Sequence, residues 1–483
     1  MALTPQEEEV IRDLISAYEN GKRLADLPVE KVDNPFDLWT EVIGKDGESK
    51  KAALAELLPY VEQETMYGVE WDASSSNSDV TRIGNMNLHA SLPIQNRMHG
   101  CLLDDNGHVV EYLNPNDWTE GILDGSMGQV MVELPAFYIK FEEQGNIRRV
   151  KMSEYPLPDY MFVPKRYVSA YEATIDRAVS SSPKLASVKN MSEEYRGGGN
   201  QSAWDGTYRT VLGRPATSVS LTNFRNYARN RNGKATSEWN CNTYDVQKEL
   251  YWLFVVEYAT RNSQKAFNAQ KTEAGFAQGG LGDGVLCDGG KWNALNGYYP
   301  FVPCGHTDSL GNFSGVVDYA QEAEDGSVLF TVHVNRYRGI ECPFAHIWKW
   351  TDGIHVMVSA NEDAGGDGTS KVYVCSDPSK FNDSNNAGYH HVGNEPRTSD
   401  YIKDIIYGIE GDIMAHANGG GSTSYFCDYH YASIPASGTS LRGVRFCGSA
   451  HGGALCGFVC SDSSYAPSST SAMLGSRLCF IPE

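Results

Sequence analysis

A mixed α+β chain, richer in strand and loop than in helix, is predicted for these 483 residues by three observations. Period-two runs rich in Val, Phe and Tyr recur, as in "QVMVELPAFYIKF" (129–141) and "SVLFTVHVNRYR" (327–338), the pattern of half-buried strands. Between them lie two helical stretches. "LTNFRNYARN" (221–230) is entered from Ser218 or Ser220, and "YDVQKELYWLFVVEYATRN" (244–262) carries Asp245, Glu249 and apolar Leu250, Leu253, Phe254 and Tyr258. The 48 glycines, gathered in runs such as "GGLGDG", "AGGDGTS" and "ANGGGS", favour long loops and short strands beyond residue 265.

In chain order, residues 1–64 read as a small helical attachment or oligomerisation segment. Thr4 and Glu7 form a capping box with Pro5 at the first helical position, and Val10, Ile11, Leu14, Ile15 and Tyr18 share a face that ends at Gly21. A second helix is expected over 49–64, kinked or broken at Pro59. Residues 65–165 read as a β-rich connecting region that contains the Ser-rich "DASSSNS" (72–78), and 166–483 as the main domain.

The totals exclude several classes of function. A net charge of −21 with no Lys/Arg block repels nucleic acid and offers no pull toward anionic membranes. No apolar run reaches membrane-span length, and the acidic N-terminus does not resemble a secretory signal, so synthesis in a cytoplasm without a cleaved signal is expected. Eleven scattered cysteines without a C-x-x-C pair indicate neither a zinc ribbon nor a dense disulfide framework. "GLGDG" (280–284) lacks a preceding strand and a following helix, which rejects a nucleotide fingerprint. Adjacent His390 and His391 would diverge on a strand. "NEDAGGDGTSK" (361–371) and "SDPSKFNDSNN" (376–386) offer ligand types that calcium takes, without EF-hand spacing; structural calcium is left open, and no cofactor is required.

The window Leu441–Phe480 contains no Lys, Glu, Gln, Asn or Trp, although about eight would be expected in forty residues of this composition. It is filled with Ser, Gly, Cys and Ala instead. Arg445, Cys447 and Ser449 alternate with Val444, Phe446 and Gly448, so the first set is expected to face outward from a strand. His451, Leu455 and Cys456 follow a Gly-rich turn; Ser461, Asp462 and Ser464 occupy the next loop, and Ser469 and Ser471 alternate again. Phe458, Val459, Leu478 and Phe480 are expected to point inward. Small adaptable residues on a rigid scaffold suit a varied binding surface, here with few aromatic anchors.

Four segments in order resemble the C-type lectin fold in its formylglycine-generating-enzyme-like branch: "YVSAYEATI" (167–175), "RPATSVSLTNFRNYARN" (214–230), "ECPFAHIWKWTDG" (341–353) and the closing "LRGVRFCG … GSRLCF" (441–480). With "YGVEWDASSSNSDVTRIG", "LPIQNRMHGCLLDDNG" and "GQVMVELPAFY", the chain over 65–483 is similar to phage tail receptor-binding proteins varied by diversity-generating retroelements. That resemblance implies a framework of Trp348, Trp350, Asp352, Arg442, Gly443, Gly475 and Arg477. It implies a variable patch at Arg445, Cys447, Ser449, His451, Leu455, Cys456, Ser461, Asp462, Ser464, Ser469 and Ser471. Template adenines replaced at random turn AAY codons into NNY, which cannot encode Lys, Glu, Gln, Met or Trp; Met473 does not fit and is either framework or another codon type.

The resemblance further implies a homotrimer at a virion tail tip, attached to other tail proteins and binding a host-cell receptor, protein or glycan, without enzymatic chemistry. Two alternatives follow from the same branch. A copper-dependent oxidase would use Cys447, Cys456 and Cys460, although the family's cysteine motif is not matched residue by residue. A bacterial surface adhesin would need an export signal. His346, inside the Trp motif, is expected to be a hydrogen-bonded structural histidine, and Trp348 and Trp350 to pack beneath the variable loops.

Overall fold

The computed structural model describes residues 39–43 and 49–482. The capping box at Thr4 and Glu7 and the apolar stripe over 10–18 lie outside the described residues. The helix expected over 49–64 is shorter than predicted. Ser49–Ala53 is a strand paired antiparallel with Trp39–Ile43, and the helix runs Leu54–Thr65 with Pro59 inside it. Strand pairing offers residues 49–53 a hydrogen-bond ladder that outweighs their helix propensity. Pro59 costs the helix one backbone bond without ending it.

The architecture is mixed α+β and dominated by antiparallel sheet. A five-stranded sheet runs in the order Met161–Val163, Phe137–Gln144, Ile147–Ser153, Met66–Asp72, Thr81–Gly84. A six-stranded sheet runs Trp239–Cys241, Leu478–Phe480, Arg166–Ser169, Gln129–Leu134, His99–Leu103, Val109–Tyr112. The boundary expected at 165/166 therefore falls inside one sheet, and strands from both sides of it share a single core. The chain closes on itself: Phe480 lies opposite both Tyr167 and Trp239, and its ring packs 4.9 Å from that of Trp239.

The largest sheet holds the segment of interest. Its order is His390–Asn394, Ser370–Val374, Trp348–Ser359, Thr439–Cys447, Gly457–Asp462, Tyr429–Tyr431, Asp400–Ile405, Ala415–Asn418. Strands here are longer than the Gly-rich punctuation suggests. Asp352-Gly353 forms a bulge within Trp348–Ser359, where the register shifts between Thr351 and His355.

Both predicted long helices are present. Leu221–Arg229 is capped by Ser220, and Tyr244–Tyr258 by Thr243. The second is buried almost all round, as its near-continuous apolar sequence requires. Two of its buried polar members are satisfied within the protein. Gln247 donates to the Phe458 carbonyl at 2.8 Å, and Glu257 accepts from Arg338 at 2.6 Å and from the Tyr337 hydroxyl at 3.1 Å. Its aromatic face floors the large sheet, with Phe254 5.5 Å from Phe458 and Tyr244 stacked 6.0 Å from Phe446.

Candidate functional site

The resemblance-derived framework residues lie beneath or beside the 441–480 segment. Trp348 and Trp350 are buried in the core that holds Leu474 and Leu478. Asp352 is buried and accepts from Arg225 at 2.9 Å. Arg477 donates to the carbonyls of Ser169 (3.1 Å) and Cys342 (2.6 Å), tying the closing strand to two others. A Cβ at Gly443 would stand 2.9 Å from the Trp350 ring, and one at Gly475 2.5 Å from the Ile347 side chain, so both positions admit only glycine without movement. Arg442 is partly exposed.

The expected outward face divides in two. Arg445, Cys447, Ser449, Cys456, Ser461 and Asp462 are buried, contrary to the alternation reading. Thr439–Cys447 is an interior strand of its sheet, covered on one side by the central helix and on the other by Trp348, Tyr465 and their neighbours. At Cys447 the backbone is left-handed (φ 83°), which breaks the period of two and turns its thiol into the same core as Phe446, 3.3 Å from the Gln247 amide. Ser461 sits 3.0 Å from His430, and Arg445 donates to Asp462 at 2.7 Å. His451 is exposed beside Tyr298 and Trp292; Leu455, Ser464, Ser469 and Ser471 are partly exposed. The inward reading of Phe458, Val459, Leu478 and Phe480 holds.

The three cysteines named for the oxidase alternative are free and buried. Burial pushes the Cys447 thiol up to about 11 and that of Cys456 up to about 12, and raises Cys460 well above its ordinary value. Burial thus favours the thiol over the thiolate at all three, the opposite of the surroundings that activate a cysteine nucleophile.

Among the described residues, the one group of three metal-ligand side chains close enough to share an ion is Glu172, Cys342 and His346. Two of its three ligand side chains, Glu172 and His346, are already committed. The His346 Nε2 accepts from the backbone N–H groups of Phe301 (3.2 Å) and Val302 (3.3 Å), which leaves the proton on Nδ1, facing Glu172 at 2.5 Å. Lys349 places its ammonium 2.8 Å from the other Glu172 oxygen and donates to the carbonyls of Ala345 and Ile347 at 3.0 Å. Burial alone would raise the Glu172 carboxyl; Lys349 and His346 outweigh it and hold it near 2. The place of a cation is filled by Lys349, so the cluster is a structural brace, as expected for His346. Lys349 lies between two tryptophans in sequence and is not singled out there; its partner Glu172 is far away in the chain, so the sequence carries no signal for the pair.

The calcium-type loops are likewise spent on themselves. Asp367 accepts from Thr369 and from Lys371 at 2.8 Å, Asp377 caps Ser379, and Asp383 pairs with Arg225 at 2.6 Å. These carboxylates serve separate turns and ion pairs and converge on no common centre. A cleft of about 270 Å³ lined by Phe141, Phe162, Arg166, Lys248, Glu249 and Trp252 contains none of the predicted variable residues.

A buried pair missed in the sequence underlies the segment. Glu395 and His430 are both fully buried, with Nε2 and Oε2 3.7 Å apart, and Ser463 donates to the other Glu395 oxygen at 2.7 Å. Burial pushes Glu395 up to about 8 and His430 down to about 4, so both are neutral at pH 6. The raised Glu395 contributes stability at low pH that is lost as pH rises from 4.5 through 8; the depressed His430 contributes stability above 6.5 that is lost as pH falls through 4. The two slopes cancel between about 4.5 and 6.5, and from 6.5 to 8 stability should fall by about 2 kcal/mol. Glu395→Gln should remove that decline in urea unfolding measured across this range. An unchanged decline would show that Glu395 is not buried in its neutral form.

Compared with known protein families and with curated proteins, the chain matches none. Among the described residues, no helix is long and apolar enough to cross a membrane.

Proposed function

We propose that this protein is a phage tail adhesin whose C-type-lectin-like main domain binds a host-cell receptor through residues varied by a retroelement. The observation that carries this reading is the restricted alphabet of 441–480, which lacks every residue type NNY cannot encode except Met473. The early and final strands pair with each other, Tyr167 opposite Phe480, which is compatible with a lectin-like closure. The exposed members of the predicted set, His451, Leu455, Ser464, Ser469 and Ser471, sit on a rigid floor of buried aromatics, the arrangement that lets a surface change while its scaffold stands. Recognition proceeds without chemistry. Several copies per tail, as trimers joined to other tail proteins, raise a weak single-site affinity by linking binding events. No cofactor takes part.

The test is the nucleotide sequence beside the gene. A near-copy of the region encoding 441–480 should lie next to a reverse transcriptase, differing only where the copy has adenine. Mismatches are expected at the codons of His451, Leu455, Ser464, Ser469 and Ser471. No such copy, or mismatches confined to buried Cys447, Cys456 and Ser461, would sink the reading of a surface varied for binding.

A further inference from the structure

The strand Tyr429–Tyr431 lies beside the variable segment, with Tyr431 opposite Asp462 on one side and Tyr429 opposite Tyr401 on the other. A period of two buries His430 against Ser461 and Glu395, and places Tyr429 and Tyr431 together on the opposite face. The rings form a continuous row. Tyr401 meets Tyr429 at 5.2 Å edge-to-face, Tyr429 meets Tyr431 at 4.7 Å, and Tyr431 meets Trp348 at 5.8 Å. The Arg445 guanidinium then lies between Trp348 (4.7 Å) and Tyr465 (4.2 Å), so the row joins the 441–480 segment. Tyr401, Tyr429 and Tyr431 are partly exposed and Tyr465 is 45% exposed.

We propose that Tyr401, Tyr429 and Tyr431, which lie outside the varied segment, are a fixed half of the recognition surface, and that they hold a neutral polysaccharide chain without calcium. The inference rests on the adhesin reading above and names the receptor chemistry for the same face.

Three properties of the row select that ligand. Each phenol offers an apolar ring with a polar tip, matching a sugar's C–H face and hydroxyl rim, and the hydroxyls of Tyr429, Tyr431 and Tyr465 have no hydrogen-bond partner among the described residues. Arg445, the guanidinium that touches the row, is already spent on Asp462, so it adds no unpaired charge to the stacking and neutral hydrogen bonds that the row offers. A net charge of −21 repels acidic polymers. Between residues 415 and 482 the exposed large aliphatic side chain is Ile434, so the row has little aliphatic surface beside it of the kind that fills the core of a protein interface. The row is rigid because the Glu395–His430 pair and Asp428, which accepts from the N–H groups of Val459 and Cys460, fix the strands beneath it.

The full chain should be applied, with EDTA present, to an array of neutral and acidic oligosaccharides. Retention on at least one neutral oligosaccharide is expected. Tyr429→Ala and Tyr431→Ala should each weaken it about tenfold or more, while Val179→Ser on a remote surface leaves it unchanged. Tyr429→Phe and Tyr431→Phe keep the stacked rings and the fold, and should retain most of the binding, which separates lost contact from lost structure. Retention of no neutral oligosaccharide, of acidic ones alone, or of a neutral one equally by the Tyr→Ala variants would overturn the proposal. The adhesin reading fails separately. A template copy found without glycan retention leaves a diversified adhesin with a protein receptor and rejects the tyrosine row; tyrosine-dependent retention without a template copy keeps the row and rejects diversification.

Discussion

Lys349→Met is expected to cost about 3–5 kcal/mol of stability, because it leaves the buried Glu172 carboxylate without its cation. The ammonium is fully enclosed and also satisfies the carbonyls of Ala345 and Ile347, in a turn where Cys342, Ala345 and His346 all adopt left-handed backbone. Holding three such residues costs free energy that the charge network must offset. Urea unfolding of Lys349→Met, Glu172→Gln and the double variant tests this. The double variant should be less destabilised than the sum of the singles, because the neutral amide no longer requires a cation. Strict additivity would show that Lys349 and Glu172 are not energetically coupled.

Gly457→Ala is the second large effect, and it bears on which positions of the segment can vary. A Cβ at 457 would stand 2.0 Å from one carboxyl oxygen of Asp428 and 2.4 Å from the other. Asp428 cannot yield freely: it is buried, its carboxyl raised well above the usual range by that burial, and it accepts from the N–H groups of Val459 (2.9 Å) and Cys460 (3.1 Å). Overpacking together with the loss of those bonds should cost about 3 kcal/mol or more. Leu455→Ala and Ser464→Ala, at partly exposed positions, should stay within about 0.5 kcal/mol. Thermal unfolding of the three variants separates the cases. A Gly457→Ala midpoint equal to that of Ser464→Ala would mean that the strand can shift to take a side chain at 457.

Local pattern made part of this legible in advance. The α+β class, the strands at 129–141 and 327–338, and the two helices, the first entered from Ser220 (one of the two serines expected), depend on periodicity and capping within a few residues of each other, so one sequence carries them; the Thr243 cap of the second is seen only in the structure. The unusual alphabet of 441–480 is likewise a property of the chain alone, and it is what points to a varied surface.

Which of those residues reach solvent was decided elsewhere. Alternation places Arg445 and Cys447 on one face of a strand, but it cannot say that the strand lies inside a large sheet with both faces covered, or that left-handed backbone at Cys447 reverses its direction. The same limit applies to Glu172 with Lys349, to Glu395 with His430, and to the row that joins Tyr401, Tyr429 and Tyr431 to Trp348. Each of these joins segments separated along the chain. Local propensity does not encode such pairings; they arise only when sheet order and register bring the segments together, which is why the sequence determined the helices and strands and the tertiary structure decided which residues meet and which reach solvent.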